Sequence, residues 1–256
     1  MNKRKIIILA CVMSIVLFAL TTVSYATSLF NAIEKGDADR VKAFIDQGAD
    51  VNANAGTNST PLFVALRYNA NPEVVQILID AGANANSSDK TKMTPLMYAA
   101  EWEEDPKVMQ ILLQAGAQVN AKDADGYTPL MYAARQNQNP EIIIILIEAG
   151  ALINEVDAEG WSSLMLAAMY TASPEVIQIL VEQGADVNEI DPYGYTPLMY
   201  TVLYNANPEV TRALLDMGAD GSLQSESGLT AFNYADYNPS ILNSDVYWLL
   251  EEAQYQ

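Results

Sequence analysis

An all-α solenoid of stacked helix pairs is the fold class this sequence predicts, on three observations. Thr60, Thr94, Thr128, Ser162, Thr196 and Thr230 recur at intervals of 34 residues. Gly48, Gly82, Gly116, Gly150, Gly184 and Gly218 keep the same interval. Between these landmarks apolar residues follow helical spacing twice per unit, with a short polar run ahead of Pro72, Pro106, Pro140, Pro174 and Pro208. A fixed period in this range marks stacked units, because one helix pair cannot bury its apolar face alone.

The stretch 123–156 shows the unit most fully. Thr128 offers a hydroxyl to an unpaired amide, and Pro129 suits the first helical turn, where an N–H has no partner anyway. Leu130, Ala133 and Ala134 form a stripe whose alanines admit a close neighbour, until Gln136 to Asn139 interrupts it. Pro140 opens a second helix carrying Ile142, Ile143, Ile145 and Leu146, which ends at Gly150. A hairpin-like loop with Asn154, Asp157 and Gly160 then leads to the next start at Ser162. Copies of this unit fall at 55–88, 89–122, 123–156, 157–190 and 191–224, between an N-terminal cap at 27–54 and a C-terminal cap at 225–256. The first cap is polar outward through Asn31, Glu34, Lys35 and Asp37. The last breaks register after Asn238-Pro239, and a final helix from Ser244-Asp245 is expected to carry Val246, Leu249 and Leu250, with Trp248 as a core plug.

The TPLMYAA runs at Thr94 and Thr128 and the Gly-Ala-x-x-Asn ends such as Gly184 to Asn188 resemble the ankyrin repeat. The tetratricopeptide repeat shares the period, but its landmark residues are missing. The resemblance implies an ankyrin-repeat solenoid of helix pairs joined by hairpin-like loops, with a protein partner on its concave side. The sequence departs from the family where histidine usually follows Thr-Pro-Leu: Phe63, Met97, Met131, Met165, Met199 and Asn233 stand there. Asn71-Pro72, Asp105-Pro106, Asn139-Pro140, Ser173-Pro174 and Asn207-Pro208 replace its Gly-His turn, one residue longer than the family's period of about 33. The loop glycine of Gly126, Gly160, Gly194 and Gly228 is replaced by Asn58 and Lys92; lysine tolerates a left-handed backbone poorly, so the loop before Met93 is expected to differ in shape.

Lys3, Arg4 and Lys5, an apolar run from Ile6 to Leu20 and then Ser24-Tyr25-Ala26 read as a secretory signal, residues 1–26, cleaved after Ala26. The apolar run is shorter than the roughly 20 residues that span a bilayer. The alternative is a membrane anchor over residues 6–23; lipidation of Cys11 is disfavoured by its place inside the greasy segment. The expectation is an exported chain, periplasmic or secreted, with no stable membrane insertion after cleavage. Cys11 is the sole cysteine. Without the signal, 10 basic residues face 32 acidic ones, a net charge of −22, against −19 for the whole chain. Such a charge repels phosphate backbones, excludes nucleic acid as a partner and favours a protein with a basic patch, although acidity also serves plain solubility.

The resemblance places the binding surface at the loop tips and the exposed ends of the first helices. The candidate site is Met93, Trp102, Tyr127, Arg135, Trp161, Tyr170, Tyr193, Tyr195 and Tyr204. Large rings with a polar edge are common interface anchors. Tyr98, Tyr132, Tyr200 and Tyr234 recur at one helical position and are assigned to packing, and bracing between loops is the competing reading for the loop aromatics. Ile144 replaces the polar residues of other units and leaves an apolar spot outside. With no histidine in the chain and no thiol after residue 26, the commonest base and nucleophile are absent, and no enzyme, cofactor or metal is expected. Asp89, Asp123, Asp157 and Asp191 are read as turn caps, calcium between such loops being a minority alternative. The leading expectation is therefore a monomeric exported binding module, acting as scaffold, inhibitor or protector. A passive surface protein comes second and a hydrolase a distant third.

Overall fold

A computed structural model describes residues 29–54, 60–68, 71–102, 105–137, 139–171 and 173–255. The signal over residues 1–26, its alternative as an anchor over 6–23, Cys11 and the loop positions Thr57, Asn58 and Ser59 lie outside them. Residues 29–34 are helical (α1) and pair with α2 (Ala38–Asp46). The repeats that follow contribute α3 (Pro61–Tyr68) with α4 (Pro72–Asp80), α5 (Pro95–Trp102) with α6 (Pro106–Gln114) and α7 (Pro129–Gln136) with α8 (Pro140–Glu148). Next come α9 (Ser163–Tyr170) with α10 (Pro174–Glu182) and α11 (Pro197–Tyr204) with α12 (Pro208–Asp216). The last unit has α13 (Ala231–Ala235), α14 (Pro239–Leu242) and α15 (Val246–Ala253). First helices α3, α5, α7, α9, α11 and α13 stack in succession; second helices α2, α4, α6, α8, α10 and α12 do likewise, and α15 closes their layer.

The periodic residues make a continuous interior. Leu96, Leu130, Leu164 and Leu198 of the first layer and Leu112, Leu146, Leu180 and Leu214 of the second are all buried. Burying one such side chain stabilises the fold by about 1.5–3 kcal/mol, and identical registers let each repeat serve as the mould of the next.

Polar residues at fixed registers hold the units together. Thr128 and Thr196 hydroxyls accept the amides of Met131 and Met199, each at 3.3 Å, starting α7 and α11. The methionines at the family's histidine position take part: the sulfurs of Met97 and Met131 accept the amides of Thr94 and Thr128 at 3.4 Å, and Asn233 Oδ1 does this for Thr230 at 2.9 Å. A weak acceptor thus completes the box at the first turn. Asn71, Asp105, Asn139 and Asn207 cap the second helices ahead of proline, through the amides of Glu73, Lys107, Glu141 and Glu209. In the outer loops Asn52, Asn86, Asn120 and Asn188 each donate to a glycine carbonyl of the next repeat (Gly82, Gly116, Gly150, Gly218) and accept one of its amides (Asn84, Gln118, Leu152, Asp220).

Two expectations are corrected. Lys92 adopts φ 62°, and the amide of Asp89 still bonds the Met93 carbonyl at 3.1 Å, as Asp123 and Tyr127 do at 3.1 Å. The loop before Met93 therefore keeps the common shape, because its hydrogen bonds outweigh the strain of about 1 kcal/mol or slightly more. Trp248 is not a core plug. It is 61% exposed, while Val246 and Leu250, four residues apart, supply the buried stripe of α15. Ile144 is 40% exposed, as its register implies.

Ser163 stands where Pro61, Pro95, Pro129 and Pro197 open four other first helices, and its buried hydroxyl has no hydrogen-bond partner. Ser163→Pro removes that orphan and restricts the unfolded chain, so it is expected to stabilise the protein by about 1 kcal/mol. A thermal melt with an unchanged or lowered midpoint would refute this.

The Ser162 hydroxyl donates to Glu189, whose carboxyl burial pushes up to about 7. A carboxyl raised above its unfolded value favours folding below about pH 4.5, and this stabilisation is lost as the pH climbs through about 7. The ceiling is about 3 kcal/mol, reduced to about 1–2 kcal/mol by solvent at this half-buried group. Glu189→Gln is expected to be the more stable form at pH 8 and to show a flatter profile of unfolding free energy between pH 5 and 8. Parallel profiles for the two proteins would contradict the assignment.

Candidate protein-binding flank

The loops and the C-terminal ends of the first helices share one flank, and its geometry begins with the loop aspartates. One oxygen, Oδ1, of Asp89, Asp123, Asp157 and Asp191 accepts two amides, two and four residues ahead, at 2.7–3.0 Å. Each aspartate thereby folds its own hairpin, as expected of turn-capping side chains. Among the described residues no group of three or more His, Cys, Asp or Glu is placed to hold a metal ion. Neighbouring hairpins join at their tips: Ala124 N–H donates to the Thr91 carbonyl at 2.8 Å, Ala158 to Asp125 at 3.0 Å and Glu226 to Tyr193 at 3.3 Å.

Seven of the nine candidate residues fall in two registers. Met93, Tyr127, Trp161 and Tyr195 each precede a helix-starting hydroxyl and are half-buried. They brace the array. Tyr127 lies 5.4 Å from the Tyr132 ring, Trp161 Nε1 donates to the Tyr200 hydroxyl at 2.9 Å across a repeat boundary, and Tyr195 sits 5.6 Å and 5.8 Å from Tyr200 and Tyr234. Burial pushes the Tyr127 hydroxyl up to about 12, and its ring lies 5.9 Å from the Arg135 guanidinium. Arg135 also reaches the buried Glu101 carboxylate at 3.6 Å, which burial raises above the ordinary carboxyl range while Arg135 opposes that shift. Arg135 is thus tied into the surface rather than projecting from it.

The second register is the outward one. Trp102, Tyr170 and Tyr204 end α5, α9 and α11 and are 56%, 54% and 64% exposed. Tyr68, at the same place on α3 and absent from the candidate set, is 58% exposed. Its signal was present in the sequence as the same 34-residue interval from Trp102. Gln136 is the polar member of this column, and Tyr193 adds an exposed ring at a loop tip. Tyr200 connects the registers, its ring stacked 6.1 Å from that of Tyr204. Helix stacking at about 8–10 Å spaces the column, so successive rings can each meet a different residue of an extended partner.

The model for "Ankyrin repeats (3 copies)" matches residues 29–123, 104–191 and 164–255. No curated protein matches the chain. The three matches run from the first described helix to the last: the chain belongs to the ankyrin repeat family, whose members are typically non-enzymatic protein–protein interaction modules.

Proposed function

We propose that this protein is exported and grips a basic protein partner through the aromatic column, as a scaffold or as an inhibitor or protector of that partner. The observation that carries the reading is the column itself: Tyr68, Trp102, Tyr170 and Tyr204, each more than half exposed at one register of consecutive or near-consecutive repeats. Exposed rings at such density are costly to leave in water unless another surface covers them, and aromatic residues dominate binding energy at interfaces. Export rests on the basic start, short apolar run and small residues ahead of Thr27. Among the described residues no helix is long and apolar enough to cross a membrane.

A photo-crosslinking residue at position 136, within the column, is expected to capture one defined protein from intact cells. The same residue at position 178, on the opposite helix layer, captures none. Trp102→Ala with Tyr170→Ala removes the adduct while leaving the circular dichroism spectrum unchanged. An adduct that survives the double substitution sinks the site, and a mature chain whose N-terminus is not Thr27 sinks the processing. No adduct from any position of the column favours the passive surface protein.

A further inference from the structure

The two ends of the stack are unlike, and each lacks the neighbour that covers the same surface elsewhere in the array. Arg40 and Phe44 of α2 stand 34 residues ahead of Val74 and Leu78, at registers that are apolar and buried in every later repeat up to Val210 and Leu214. In the first unit Arg40 is exposed and Phe44 half-buried, and a cavity of about 140 Å³ opens between α1 and α2, lined by Asn31, Ala32, Lys35, Arg40 and Phe44. Apolar cavities of about 150 Å³ hold a benzene ring, so this one has room for a single aromatic side chain. Ala32 and Phe44 give it an apolar floor, and Lys35 and Arg40 give it a basic rim. Asp37 reaches Arg40 at 3.4 Å, a surface pair of the kind that holds its cation weakly.

At the other end Phe232 stands at the register of the buried Leu198, yet it is only half-buried, with the Tyr247 ring 5.0 Å away. Tyr237, just past α13, is 79% exposed, and the adjacent Asp236 accepts the Tyr247 hydroxyl at 3.0 Å. Charge decides which surface can meet this one. After Arg212 the chain has seven acidic residues and no basic one, whereas between residues 29 and 135 nine basic residues face 14 acidic ones. Two tails brought together set acid against acid; a tail on a head sets acid against two cations and an apolar floor. A second copy that continues the stack in the sense of the repeats brings the end of α13 over the end of α1 and the start of α15 over the start of α2. Tyr237 and Asp236 then lie above the cavity.

We propose that copies of this protein associate head to tail, the Tyr237 ring of one copy entering the cavity of the next and Asp236 facing Lys35 and Arg40. The contact joins two different surfaces, so it leaves a free head and a free tail and builds open chains that lengthen with concentration. The expected monomer then holds for dilute protein only, because so small a contact is weak. Each added copy extends the column of exposed rings, which raises avidity for a long partner without any new kind of contact. The association itself does not depend on what the flank binds.

Two variants at exposed positions test it without touching the core. Lys35→Glu with Arg40→Glu reverses the charge of the head; Tyr237→Lys takes the ring from the tail and sets a cation against the basic rim. In analytical ultracentrifugation of the purified mature protein up to about 1 mM, the average mass of the parent is expected to rise past that of a dimer. Each variant alone stays monomeric, with association at least tenfold weaker and the parent's circular dichroism spectrum. An equimolar mixture of the two joins the intact tail of the first to the intact head of the second and stops at a dimer. A parent that stays monomeric throughout overturns the proposal. So does a parent that plateaus at a dimer which the head variant retains and Tyr237→Lys loses, since that is tail-to-tail pairing. A mixture that stays monomeric while the parent assembles overturns the assignment of these two ends.

Discussion

Asn205→Ala is expected to detach the last two repeats from the array, at a loss of about 4 kcal/mol. Asn205 is buried in the turn between α11 and α12, 4% exposed. Its amide donates to the carbonyls of Ala168 and Thr171, both at 2.9 Å, at the C-terminal end of α9 in the preceding repeat, and its oxygen accepts the Asn207 amide at 2.9 Å. Truncation leaves three backbone groups unpaired in a place water reaches poorly, at about 1–3 kcal/mol each before relaxation. In a linear array each repeat touches only its neighbours, so a weak interface separates two blocks rather than lowering the stability of the whole evenly. Trp161 reports on this interface through its bond to Tyr200. In urea, its fluorescence is expected to change well before the far-ultraviolet dichroism of Asn205→Ala, whereas the two signals coincide in the parent. Coincident transitions in the variant, or a loss under about 1 kcal/mol, would show that the asparagine is dispensable. Asn154→Ala provides the contrast, since Asn154 bonds Gly184 at 3.0 Å in an exposed loop where water can substitute.

The array was legible in the sequence because every unit repeats the same local chemistry. Pro72, Pro106, Pro140, Pro174 and Pro208 do open the second helices, and the glycines from Gly48 to Gly218 all take positive φ at the helix ends. What escaped was decided by contacts between units. Trp248 looked like core by size and spacing, but the helix that carries it turns Val246 and Leu250 inward. Lys92 looked unsuited to a left-handed backbone, yet the Asp89 carboxylate organises that hairpin as strongly as in the others. The candidate residues lie on one flank but follow more than one pattern. The exposed column needed Tyr68 added to it, and Tyr127, Trp161 and Tyr195 serve largely as braces, which only the ring contacts across repeats disclose. Asp157 Oδ2, which has no hydrogen-bond partner, could be suspected from Leu166 breaking the tyrosine register, but its burial is a property of the folded stack.

Gly194→Ala is expected to cost about 3 kcal/mol, and Gly218→Ala about 1 kcal/mol, although the two glycines have nearly the same conformation. Their φ angles are 81° and 91°. Both substitutions force an L-residue into the left-handed region, which accounts for the shared part. They differ in what a Cβ would meet. At Gly218 there is nothing within 4 Å; at Gly194 the new carbon would stand 2.8 Å from the Glu226 amide nitrogen and 3.1 Å from the Ser225 carbonyl carbon. Those atoms are backbone of the next hairpin, the same one whose Glu226 N–H donates to Tyr193, and they cannot rotate away as a side chain would. The extra loss measures how tightly hairpins tile against one another. It also has a functional reading, because pushing the hairpins apart moves Tyr193 and the start of α11, and hence Tyr204, relative to Tyr170. Under the proposed binding mode Gly194→Ala should weaken partner capture at temperatures where the protein is still folded, and Gly218→Ala should not. Equal stability losses for the two variants would mean that the hairpins are separated by enough slack to absorb a methyl group, and the flank would then be too loose to hold successive rings in one register.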